Sequence, residues 1–379
     1  MKILILGAGL VGKPMAMDLA KDSRFHVSVA DIDPDAIARL SHIPGISAIR
    51  RDLSDSKGLK ELVSGFDIVI NALPGFMGFQ TLEWIIEVKK DVVDISFFPE
   101  DPFRLDDLAK ASNVTALVDC GVAPGMSNVL VGHADHQLDR TEKLEIYVGG
   151  LPEIREWPFE YKAGFSPIDV IEEYIRPARY VENGKLKQKP ALSDAEYVNF
   201  SRIGTLEAFL TDGLRTLIKT IDAPVMTEKT LRYPGHIDKI KVLRESGFFG
   251  KEKVPVNGVS VRPVDVSASL LFPKWKLSVS DKDVTVMRIV VEGRKGDKRL
   301  QYTYELYDEY DIGTQVHSMA RTTGYTATTA LRMIAAGLFS RKGISSPEFI
   351  GRKSECVEFM LNGLRERNVN YEEKVNALE

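Results

Sequence analysis

Three glycines near the start of the chain have the spacing of a phosphate-binding turn. Gly7, Gly9 and Gly12 follow the apolar run "KILIL" at once and open an amphipathic segment. In such a turn the first glycine allows a tight bend, the second lets the backbone approach a diphosphate, and the third allows close packing of helix on strand. Asp31 closes the next apolar run, where a carboxylate can hold a ribose hydroxyl, although a packing turn followed by a surface Asp would look the same. The predicted dinucleotide contacts are Gly7, Gly9, Leu10, Val11, Gly12 and Asp31.

The same carboxylate bears on which dinucleotide binds. A negative charge at Asp31 repels a 2′-phosphate, and this favours NAD over NADP. Arg50 and Arg51 end the third apolar run, so NADP is not excluded. Asp52 and Leu53 follow that run directly and are predicted to contact the adenine, although a plain turn would place the same residues there. The predicted cofactor is therefore NAD, with NADP left open.

Polar and small residues also stand where three later apolar runs end. These runs are "DIVINAL", "DVVDIS" and "VTALVD", and the last of them continues into "CGVAPGMSN". Ligands of parallel sheets lie outside the carboxyl ends of the strands, so these ends are expected to share one crevice. The Pro-Gly turn lets the backbone pass close to a ligand, although a hinge between domains would also explain it. The predicted contacts near the nicotinamide are Asn71, Ala72, Leu73, Pro74, Ile95, Ser96, Pro124 and Gly125.

The elements that must position these residues alternate through the first third of the chain. Short apolar runs are separated by segments of helical periodicity, a pattern typical of βαβ units and a parallel sheet. The runs are nearly continuous in apolar residues, as expected for strands covered on both faces. The predicted fold class of this part is α/β, a Rossmann doubly wound parallel sheet. The first run is interpreted as a strand and not as a secretory signal, because an amphipathic helix follows it.

Beyond residue 132 the alternation stops, and the pattern becomes typical of an α+β domain with a mixed or antiparallel sheet. The stretch "ARYVENGKLKQKPA" predicts a hairpin on Asn183-Gly184. The stretch "DVTVMRIVVEGRKGDKRLQYTYELYDE" predicts two long strands joined by a loop containing Gly293 and Gly296. A long helix within "SMARTTGYTATTALRMIAAGLFSRKG" is expected to return to the first domain. The predicted boundaries are 1–125 for the Rossmann domain, completed by 318–379, and 126–317 for a substrate, catalytic and dimerisation domain.

Composition argues against several other classes of protein. The chain has 379 residues, enough for two domains, and a net charge of −4 without blocks of like charge, so no nucleic-acid surface is expected. Its two cysteines do not make a disulfide framework, which fits a reducing cytosol. No apolar run has the ~18 residues of a membrane span, and no clustered His/Cys spacing predicts a metal. We therefore expect a cytoplasmic protein without a metal and without membrane or nucleic-acid partners.

Five motifs, in this order, resemble the saccharopine dehydrogenase-like oxidoreductases. They are "LGAGLVG", "DCGVAPGMSN", "FSRIGTLEAFLTDGL", "KTLRYPGH" and "ARTTGYTATTA". Within that family the chain is most similar to the L-lysine 6-dehydrogenases. The resemblance implies an NAD-dependent oxidation at a carbon that bears nitrogen. For lysine, the implied products are the 6-semialdehyde and ammonia.

Two stretches depart from the patterns of these relatives. Saccharopine enzymes usually carry Asp before the Pro-Gly pair and Asp-His after it, whereas this chain has Ala123 and Ser127-Asn128. Lysine-type members tend to have Gly-Gly after the fifth strand, whereas this chain has 96–99, "SFFP". The main hypothesis is oxidative deamination of lysine. The alternatives are a saccharopine-type enzyme, which would need extra cations for several substrate carboxylates, and a dinucleotide-binding regulator without turnover.

Oxidation of an amine requires a group that holds the substrate nitrogen deprotonated. His236, in "RYPGH", is the first candidate for this base, and Asp119 and Asp94 are the others. A loop histidine and ribose-binding carboxylates are the plainer interpretations of the same residues. The crevice from Asn71 through Asn128 to His236 is the predicted site, in a protein expected to be a homodimer that binds an amino acid. The predicted substrate contacts are Cys120, Met126, Asn128, Arg232, Tyr233 and Arg321.

Overall fold

The structure of the protein is a computed structural model, and it describes residues 1–278 and 280–379. The chain forms two compact units, Met1–Gln137 with Ala320–Asn370 and Leu138–Met319 with Tyr371–Glu379. The strands, numbered along the chain, are β1 (Lys2–Leu6), β2 (His26–Asp31), β3 (Ile46–Arg50), β4 (Ile68–Asn71), β5 (Asp91–Asp94), β6 (Thr115–Leu117), β7 (Arg140–Pro152), β8 (Ala178–Glu182), β9 (Lys185–Lys189), β10 (Glu196–Phe200), β11 (Gly204–Leu210), β12 (Val225–Arg232), β13 (Val254–Val256), β14 (Val259–Val261), β15 (Asp283–Lys295), β16 (Lys298–Glu309), β17 (Gly343–Ser345) and β18 (Tyr371–Leu378). The α-helices are α1 (Gly12–Leu19), α2 (Pro34–Ser41), α3 (Ser56–Ser64), α4 (Gly75–Glu87), α5 (Asp106–Ala111), α6 (Met126–Gln137), α7 (Pro167–Ile175), α8 (Leu217–Thr220), α9 (His236–Glu245), α10 (Pro263–Trp275), α11 (Ser318–Ala335), α12 (Glu348–Gly351) and α13 (Ser354–Arg365).

The first unit is built on a seven-stranded sheet in the order β17-β6-β5-β4-β1-β2-β3. Its strand pairs are parallel. The strand order reverses direction between β1 and β4, the place where ligands of such sheets bind. The predicted Rossmann arrangement is therefore confirmed, with one strand, β17, that the sequence did not reveal.

Apolar strand residues give this sheet its core. Leu4, Val69 and Val92 belong to one buried cluster with Leu82 and Ile86 of α4. Full burial of each such side chain is worth about 1.5–3 kcal/mol relative to exposure. The near-continuous apolar runs thus account for the strands and for their central position in the unit.

The strands end earlier than the apolar runs suggested. The sixth predicted strand, "VTALVD", is a strand only through Leu117, and Asp119 beyond it has a left-handed backbone with φ +52°. A left-handed residue cannot continue a strand, because strand residues have strongly negative φ. Asp119 therefore lies in a turn just past the end of β6, whereas Asn71 and Asp94 are the last residues of β4 and β5.

The second unit contains a nine-stranded sheet, with the order β10-β11-β12-β7-β15-β16-β18 along its main path and β8 and β9 attached at β12. Only β12 and β7 pair in parallel among these described strands, and the other pairs are antiparallel. The mixed sheet confirms the predicted α+β class. The hairpin at Asn183-Gly184 is also confirmed, with φ +54° and +69° at the two turn residues, the geometry that a two-residue turn of this type needs. Gly293, which was expected in a loop, lies within β15 at a register shift.

The two compact units differ from the predicted domain boundaries at two places. Helix α6, expected to open the second domain, belongs to the first unit, where it packs on α12. Strand β18, expected to complete the first domain, belongs to the second unit. It pairs along most of its length with β16, from Arg299–Leu378 to Leu306–Tyr371. Neither pairing has a local sequence signal, because both partners are distant in the chain.

Candidate functional site

The glycine turn of the first unit has the geometry of a phosphate site. A side chain at Gly7 would approach the carbonyl oxygen of Ala72 to 2.7 Å, and one at Gly12 would approach the carbonyl oxygen of Gly7 to 2.0 Å. At Gly9, by contrast, nothing lies within 4 Å of an added Cβ. Helix α1 begins without a side-chain cap at Val11, so its first N–H groups are not bound by a capping side chain. The first and third glycines are thus required by packing, and the second leaves room for a ligand.

Asp31 is fixed beside this turn by two backbone N–H groups. Its Oδ2 accepts a hydrogen bond from the Ala8 N–H at 2.6 Å, and its Oδ1 accepts one from the Asp33 N–H at 2.9 Å. The side chain is only half-buried, so its remaining lone pairs can accept from ribose hydroxyls. The residues present therefore fit an NAD(P) cofactor, with Gly7, Gly9 and Gly12 at the diphosphate and Asp31 at the ribose.

The predicted adenine contacts divide between surface and core. Asp52 is exposed, and its Oδ1 accepts hydrogen bonds from the N–H and the hydroxyl of Ser54. Leu53 is only 4% exposed and belongs to the core cluster of the unit. Its side chain is therefore not available to an adenine, because the sheet core already surrounds it. Leu10, within the glycine turn, is exposed.

A buried polar network joins the ends of β4 and β5. The Asn71 side-chain amide donates to Asp94 Oδ2 at 2.6 Å and to the Ser96 hydroxyl at 3.2 Å. The Ser96 hydroxyl and N–H donate to Asp94 Oδ1 at 2.5 Å and 2.8 Å. Burial raises the pKa of Asp94 from 3.8 to about 7, with a further contribution from the charge of Asp119. Proton exchange near neutral pH is the property that a general acid or base needs, so Asp94 remains a candidate.

The other predicted nicotinamide contacts surround this network. Ile95 donates its N–H to the carbonyl of Asn71 at 3.0 Å, and Ala72, Leu73 and Pro74 lead from β4 into α4. Ala72 and Pro74 are half-buried, whereas Leu73 is 9% exposed and packs in the core. The predicted set therefore lies together at the carboxyl edge of the sheet.

Asp119 and Cys120 follow β6 and are both buried. Burial first, and then the charges of Asp119 and Asp94, raise the pKa of the Cys120 thiol. A thiol whose pKa is raised carries little thiolate, which is the nucleophilic form. Cys120, which was predicted to contact the substrate, is therefore poorly suited to attack one as a nucleophile.

The Pro-Gly turn folds back on itself. The Gly121 N–H donates to the carbonyl of Pro124 at 3.0 Å, and the Met126 N–H donates to the carbonyl of Gly121 at 2.9 Å. A Cβ at Gly125, whose φ is +142°, would lie 1.8 Å from the carbonyl oxygen of Gly121. Only glycine fits at position 125. Packing within the turn therefore accounts for Gly125, and no ligand contact is needed to explain it.

Met126 and Asn128 were predicted to contact substrate, but both are fully buried. The Asn128 side chain accepts from the Ser127 hydroxyl at 2.9 Å and donates to Glu348 of α12 at 3.2 Å. These bonds hold α6 within its own unit. We therefore revise the roles of Met126 and Asn128 from substrate contact to packing.

His236 lies in a buried aromatic cluster of the second unit. Its Nδ1 donates to the carbonyl of Phe159 at 2.8 Å, and its Nε2 accepts from the Tyr174 hydroxyl at 2.9 Å; the carbonyl cannot donate, so this tautomer follows. Burial, with the charge of Arg232, lowers the His236 pKa from 6.5 to about 3. Both ring nitrogens of this neutral imidazole are occupied, so His236 does not fit the role of base that the sequence suggested.

Arg232 belongs to the same cluster and is 3% exposed. It donates to Glu173 at 3.1 Å and to the Tyr174 hydroxyl at 3.3 Å, and its guanidinium lies 4.4 Å from the centre of the Tyr161 ring. A guanidinium with these partners stabilises the aromatic cluster. The predicted contact of Arg232 with a substrate carboxylate is therefore not supported by its surroundings.

Tyr233 and Arg321 are likewise bound to backbone within their own units. The Tyr233 hydroxyl donates to the carbonyl of Pro152 at 2.9 Å. Arg321 donates to the carbonyls of Arg367 and Asn368 just beyond α13 at 3.0 Å and 3.4 Å. Both side chains are buried, and the contacts shown are structural.

The sequence analysis missed a group of arginines around the loop that follows β11. Arg179 forms a two-point ion pair with Asp212, at 2.7 Å and 2.9 Å. Arg215, three residues after Asp212, is 6% exposed and has a left-handed backbone with φ +50°. Burial and the charge of Arg215 lower the pKa of Arg176 at the end of α7. Arg176, Arg179 and Arg215 thus lie together, and the signal for them was the charged pair in "TDGLRT", between two apolar segments.

None of the helices in residues 1–278 and 280–379 has both the length and the hydropathy needed to cross a membrane. In the same part of the chain, no three His, Cys, Asp or Glu side chains are grouped so that they could hold a metal ion.

Two protein-family models match the chain almost end to end. Residues 3–117 match the model described as "Saccharopine dehydrogenase NADP binding domain", and residues 121–369 match "Saccharopine dehydrogenase C-terminal domain". The curated relatives include the saccharopine dehydrogenase (NADP(+), L-glutamate-forming) of Pyricularia oryzae, which is 26% identical over 99% of each chain. They also include the alpha-aminoadipic semialdehyde synthases of Arabidopsis thaliana and Mus musculus, 27% and 23% identical over 66% and 69% of this chain.

The chain spans 27% to 30% of the length of these synthases. A solved structure, the apo saccharopine dehydrogenase (L-Glu forming) of Saccharomyces cerevisiae, matches 99% of this chain and 100% of its own, with a TM-score of 0.79 and 20% identity. This likeness shows that the two chains share a fold.

Proposed function

Since this chain belongs to the saccharopine dehydrogenase family, we propose that it is an NAD(P)-dependent oxidoreductase that acts on the secondary amine of an amino-acid conjugate, of which saccharopine is the first candidate. Lysine oxidation, the main hypothesis from sequence, has less support, because both family models and the full-length relative from Pyricularia oryzae are described as saccharopine dehydrogenases. Ser127 and Asn128, which weighed against saccharopine, are buried and hydrogen-bonded to each other. Their difference from the relatives is therefore weak evidence about the substrate.

The observation that carries this proposal is the arginine group at Arg176, Arg179 and Arg215. Saccharopine bears three carboxylates, and guanidinium groups bind carboxylates with two parallel hydrogen bonds. Carboxylates stand among these guanidinium groups, because Asp212 pairs with Arg179 and the charges of Asp212, Glu172 and Asp169 act on Arg176 against the effect of its burial. Three guanidinium groups in one region suit a substrate with several carboxylates better than lysine, which offers one carboxylate.

The reaction requires the protein to hold protons and water in place. When bound, the nicotinamide supplies the hydride acceptor. The substrate nitrogen must be unprotonated for its lone pair to form the C=N bond as hydride leaves the neighbouring carbon. Water then adds to the iminium, and loss of the amine gives an aldehyde and a free amino acid, with one proton released. Asp94 is the proposed group for these proton transfers, because its pKa lies near 7.

The test is turnover of saccharopine and of L-lysine with NAD and with NADP, followed by the absorbance of the reduced nicotinamide. We expect saccharopine to be oxidised with kcat/KM at least tenfold above lysine. In the variant Arg215→Gln we expect KM for saccharopine to rise by about tenfold or more, since a charge-assisted hydrogen bond is worth roughly 1.5–3 kcal/mol. Arg294→Gln, at an exposed ion pair with Glu142, is the control and should leave KM unchanged. Oxidation of lysine but not saccharopine would show that the proposal is wrong.

A further inference from the structure

The last turn of α1 carries a buried carboxylate, Asp18, that has no part in the proposed function as described so far. Asp18 is 5% exposed. Its Oδ2 accepts hydrogen bonds from the Thr328 hydroxyl at 2.6 Å and from Nη1 of Arg332 at 2.7 Å, and its Oδ1 accepts one from Nε of Arg367 at 2.7 Å. These donors follow Asp18 by 310, 314 and 349 residues and belong to the same compact unit. Both oxygens of the carboxylate are therefore bound to a part of the chain that is distant in sequence.

The two guanidinium groups that bind Asp18 are themselves held in place. Arg332 also donates to the carbonyl of Asp18 at 3.0 Å and to the carbonyl of Thr328, in its own helix α11, at 3.2 Å. Arg367 also donates to the carbonyl of Gly363, near the end of α13, at 2.6 Å. A positive charge at the carboxyl end of a helix is favourable, because the last carbonyl groups carry partial negative charge. The carboxyl end of α1 is thus fixed to α11 and to the segment that follows α13.

The amino end of α1 contacts α11 at a glycine. A Cβ at Gly324 of α11 would lie 3.0 Å from Cγ of Met15, 3.4 Å from Cγ1 of Val11 and 3.6 Å from the carbonyl oxygen of Val11. Gly324, Thr328 and Arg332 follow one another at intervals of four residues, so they lie on one face of α11. This face of α11 therefore contacts α1 at both of its ends.

The amino end of α1 is also the end that meets the cofactor. Its first N–H groups follow the glycine turn and are not bound by a capping side chain, so they can bind the diphosphate. The helix has eight residues, and a helix so short has little stability of its own. Its place relative to the turn must therefore come from contacts with the rest of the unit. Because N–H···O hydrogen bonds need donor–acceptor distances of about 2.7–3.2 Å, a small displacement of α1 weakens its bonds to the diphosphate.

We propose that Asp18 and Gly324 are positioning residues for the cofactor, which set the place of α1 and, through it, the affinity of the glycine turn for the diphosphate of NAD(P). The inference rests on the proposed function for the presence of a dinucleotide, and it does not depend on which amine is oxidised. It also gives a role to the motif "ARTTGYTATTA", of which Gly324 and Thr328 are members.

The variant Gly324→Ala crowds Val11 and Met15 without a change of charge. We expect the Kd for NADH and NADPH, measured by the fluorescence of the reduced nicotinamide, to rise about fivefold or more, because the N–H groups of α1 move away from the diphosphate. At saturating cofactor, kcat and the KM for the amine substrate should stay within about twofold, since the displaced helix binds the diphosphate and not the substrate. Gly363→Ala is the matched control, because its Cβ would lie 2.5 Å from Cγ2 of Thr329 and crowds α11 against α13 instead of α1. The control should leave both Kd values unchanged even where it lowers the stability.

The variant Asp18→Asn tests the other end of the helix. Its amide keeps one accepting oxygen but loses the charge that binds two guanidinium groups, so the Kd for both dinucleotides should again rise about fivefold or more. Asp22→Asn is the control for this variant, because Asp22 also lies near Arg332, at 3.9 Å, but beyond the end of α1. Thermal unfolding of each protein without ligand shows that it is folded at the temperature of the binding measurement.

A Kd in Gly324→Ala within about twofold of that of the unmutated protein would overturn the inference and leave Asp18 and Gly324 as stabilising residues only. An equal rise of the Kd in Gly363→Ala would also overturn it, because a general loosening of the unit would then be the cause. If the protein binds NADH or NADPH but oxidises neither saccharopine nor lysine, the proposed function fails, and the Kd values still decide about α1. If neither dinucleotide binds to the unmutated protein, the proposed function and this inference both fail.

Discussion

Asp31 is the residue whose chemistry bears most directly on the choice of cofactor. Its carboxylate is held by the N–H groups of Ala8 and Asp33, and β3, which ends at Arg50, runs beside it. A ribose 2′-hydroxyl can donate to this carboxylate, whereas a 2′-phosphate is repelled by it. The matched family model is described as NADP binding, and Arg50 and Arg51 offer positive charge nearby, so the preference for NAD stays a proposal.

For the variant Asp31→Asn we expect the ratio of kcat/KM with NAD to kcat/KM with NADP to fall about tenfold or more. The amide can still accept from Ala8, but the repulsion of a 2′-phosphate is lost together with a charge-assisted hydrogen bond worth roughly 1.5–3 kcal/mol. Steady-state kinetics with both cofactors measures the ratio. Asp33→Asn, at the cap of α2, is the control. If the ratio is unchanged in Asp31→Asn, Asp31 does not contact the cofactor.

Asp94 should make the stability of the protein depend on pH. Its pKa is about 7 in the folded chain against 3.8 as the ordinary value, so the unfolded chain loses this proton first as pH rises. The free energy of unfolding should therefore fall between about pH 4 and pH 7, by as much as ~4 kcal/mol from this group. Denaturant unfolding across this range measures the slope, and Asp94→Asn should flatten it.

Asp297→Asn, at the exposed turn between β15 and β16, is the control for this measurement and should keep the slope of the unmutated protein. A slope that survives in Asp94→Asn would mean that other groups cause it. The sequence placed Asp94 at a strand end correctly, but the burial that raises its pKa depends on Asn71 and Ser96 lying against it.

At the scale of elements, α6 and α12 touch at two glycines. A Cβ at Gly132 of α6 would lie 2.3 Å from the carbonyl oxygen of Glu348, and one at Gly351 of α12 would lie 2.2 Å from the carbonyl oxygen of Val129. These are contacts with backbone, which cannot move aside as a flexible side chain can. The two helices therefore pack closely only because both positions lack a side chain.

For Gly132→Ala we expect the free energy of unfolding to fall by about 1–3 kcal/mol, the usual cost of overpacking. This expected loss of stability is opposite in sign to the effect of intrinsic helix propensity, which favours alanine over glycine by about 1 kcal/mol. Gly65→Ala, just after α3, is the matched control, since its Cβ would meet its first neighbour at 3.6 Å. Denaturant unfolding of the three proteins gives the comparison. A more stable Gly132→Ala protein would show that the contact between the helices can relax.

The alternation of apolar runs and helical segments was enough to predict β1 to β6 and their helices. The reason is that each of these elements carries its own periodicity and its own breaking residues. The same local signals gave the hairpin at Asn183-Gly184 and the strands β15 and β16. They did not predict β17, because its three residues are too few to show a periodic pattern.

At the scale of the whole molecule, the path of the chain between the two units was only partly foreseen. The long helix α11 does contribute most of its length to the first unit, since that unit resumes at Ala320. The chain then leaves the first unit again at Tyr371, because β18 pairs with the free edge of β16 in the second unit. Edge strands accept such partners readily, since their N–H and C=O groups are otherwise unpaired.

What the sequence determined by itself is the glycine turn, the acidic strand end at Asp31, the class of each unit and the family. These depend on residue types at fixed short spacings, which can be read along the chain. The tertiary structure decided which charged side chains are buried and what they touch. It removed His236 and Arg232 from the candidate site by surrounding them with partners, and it brought Arg176, Arg179 and Arg215 together from separate segments of the chain. Burial and contact arise from residues far apart in the chain, so no local pattern carries that information.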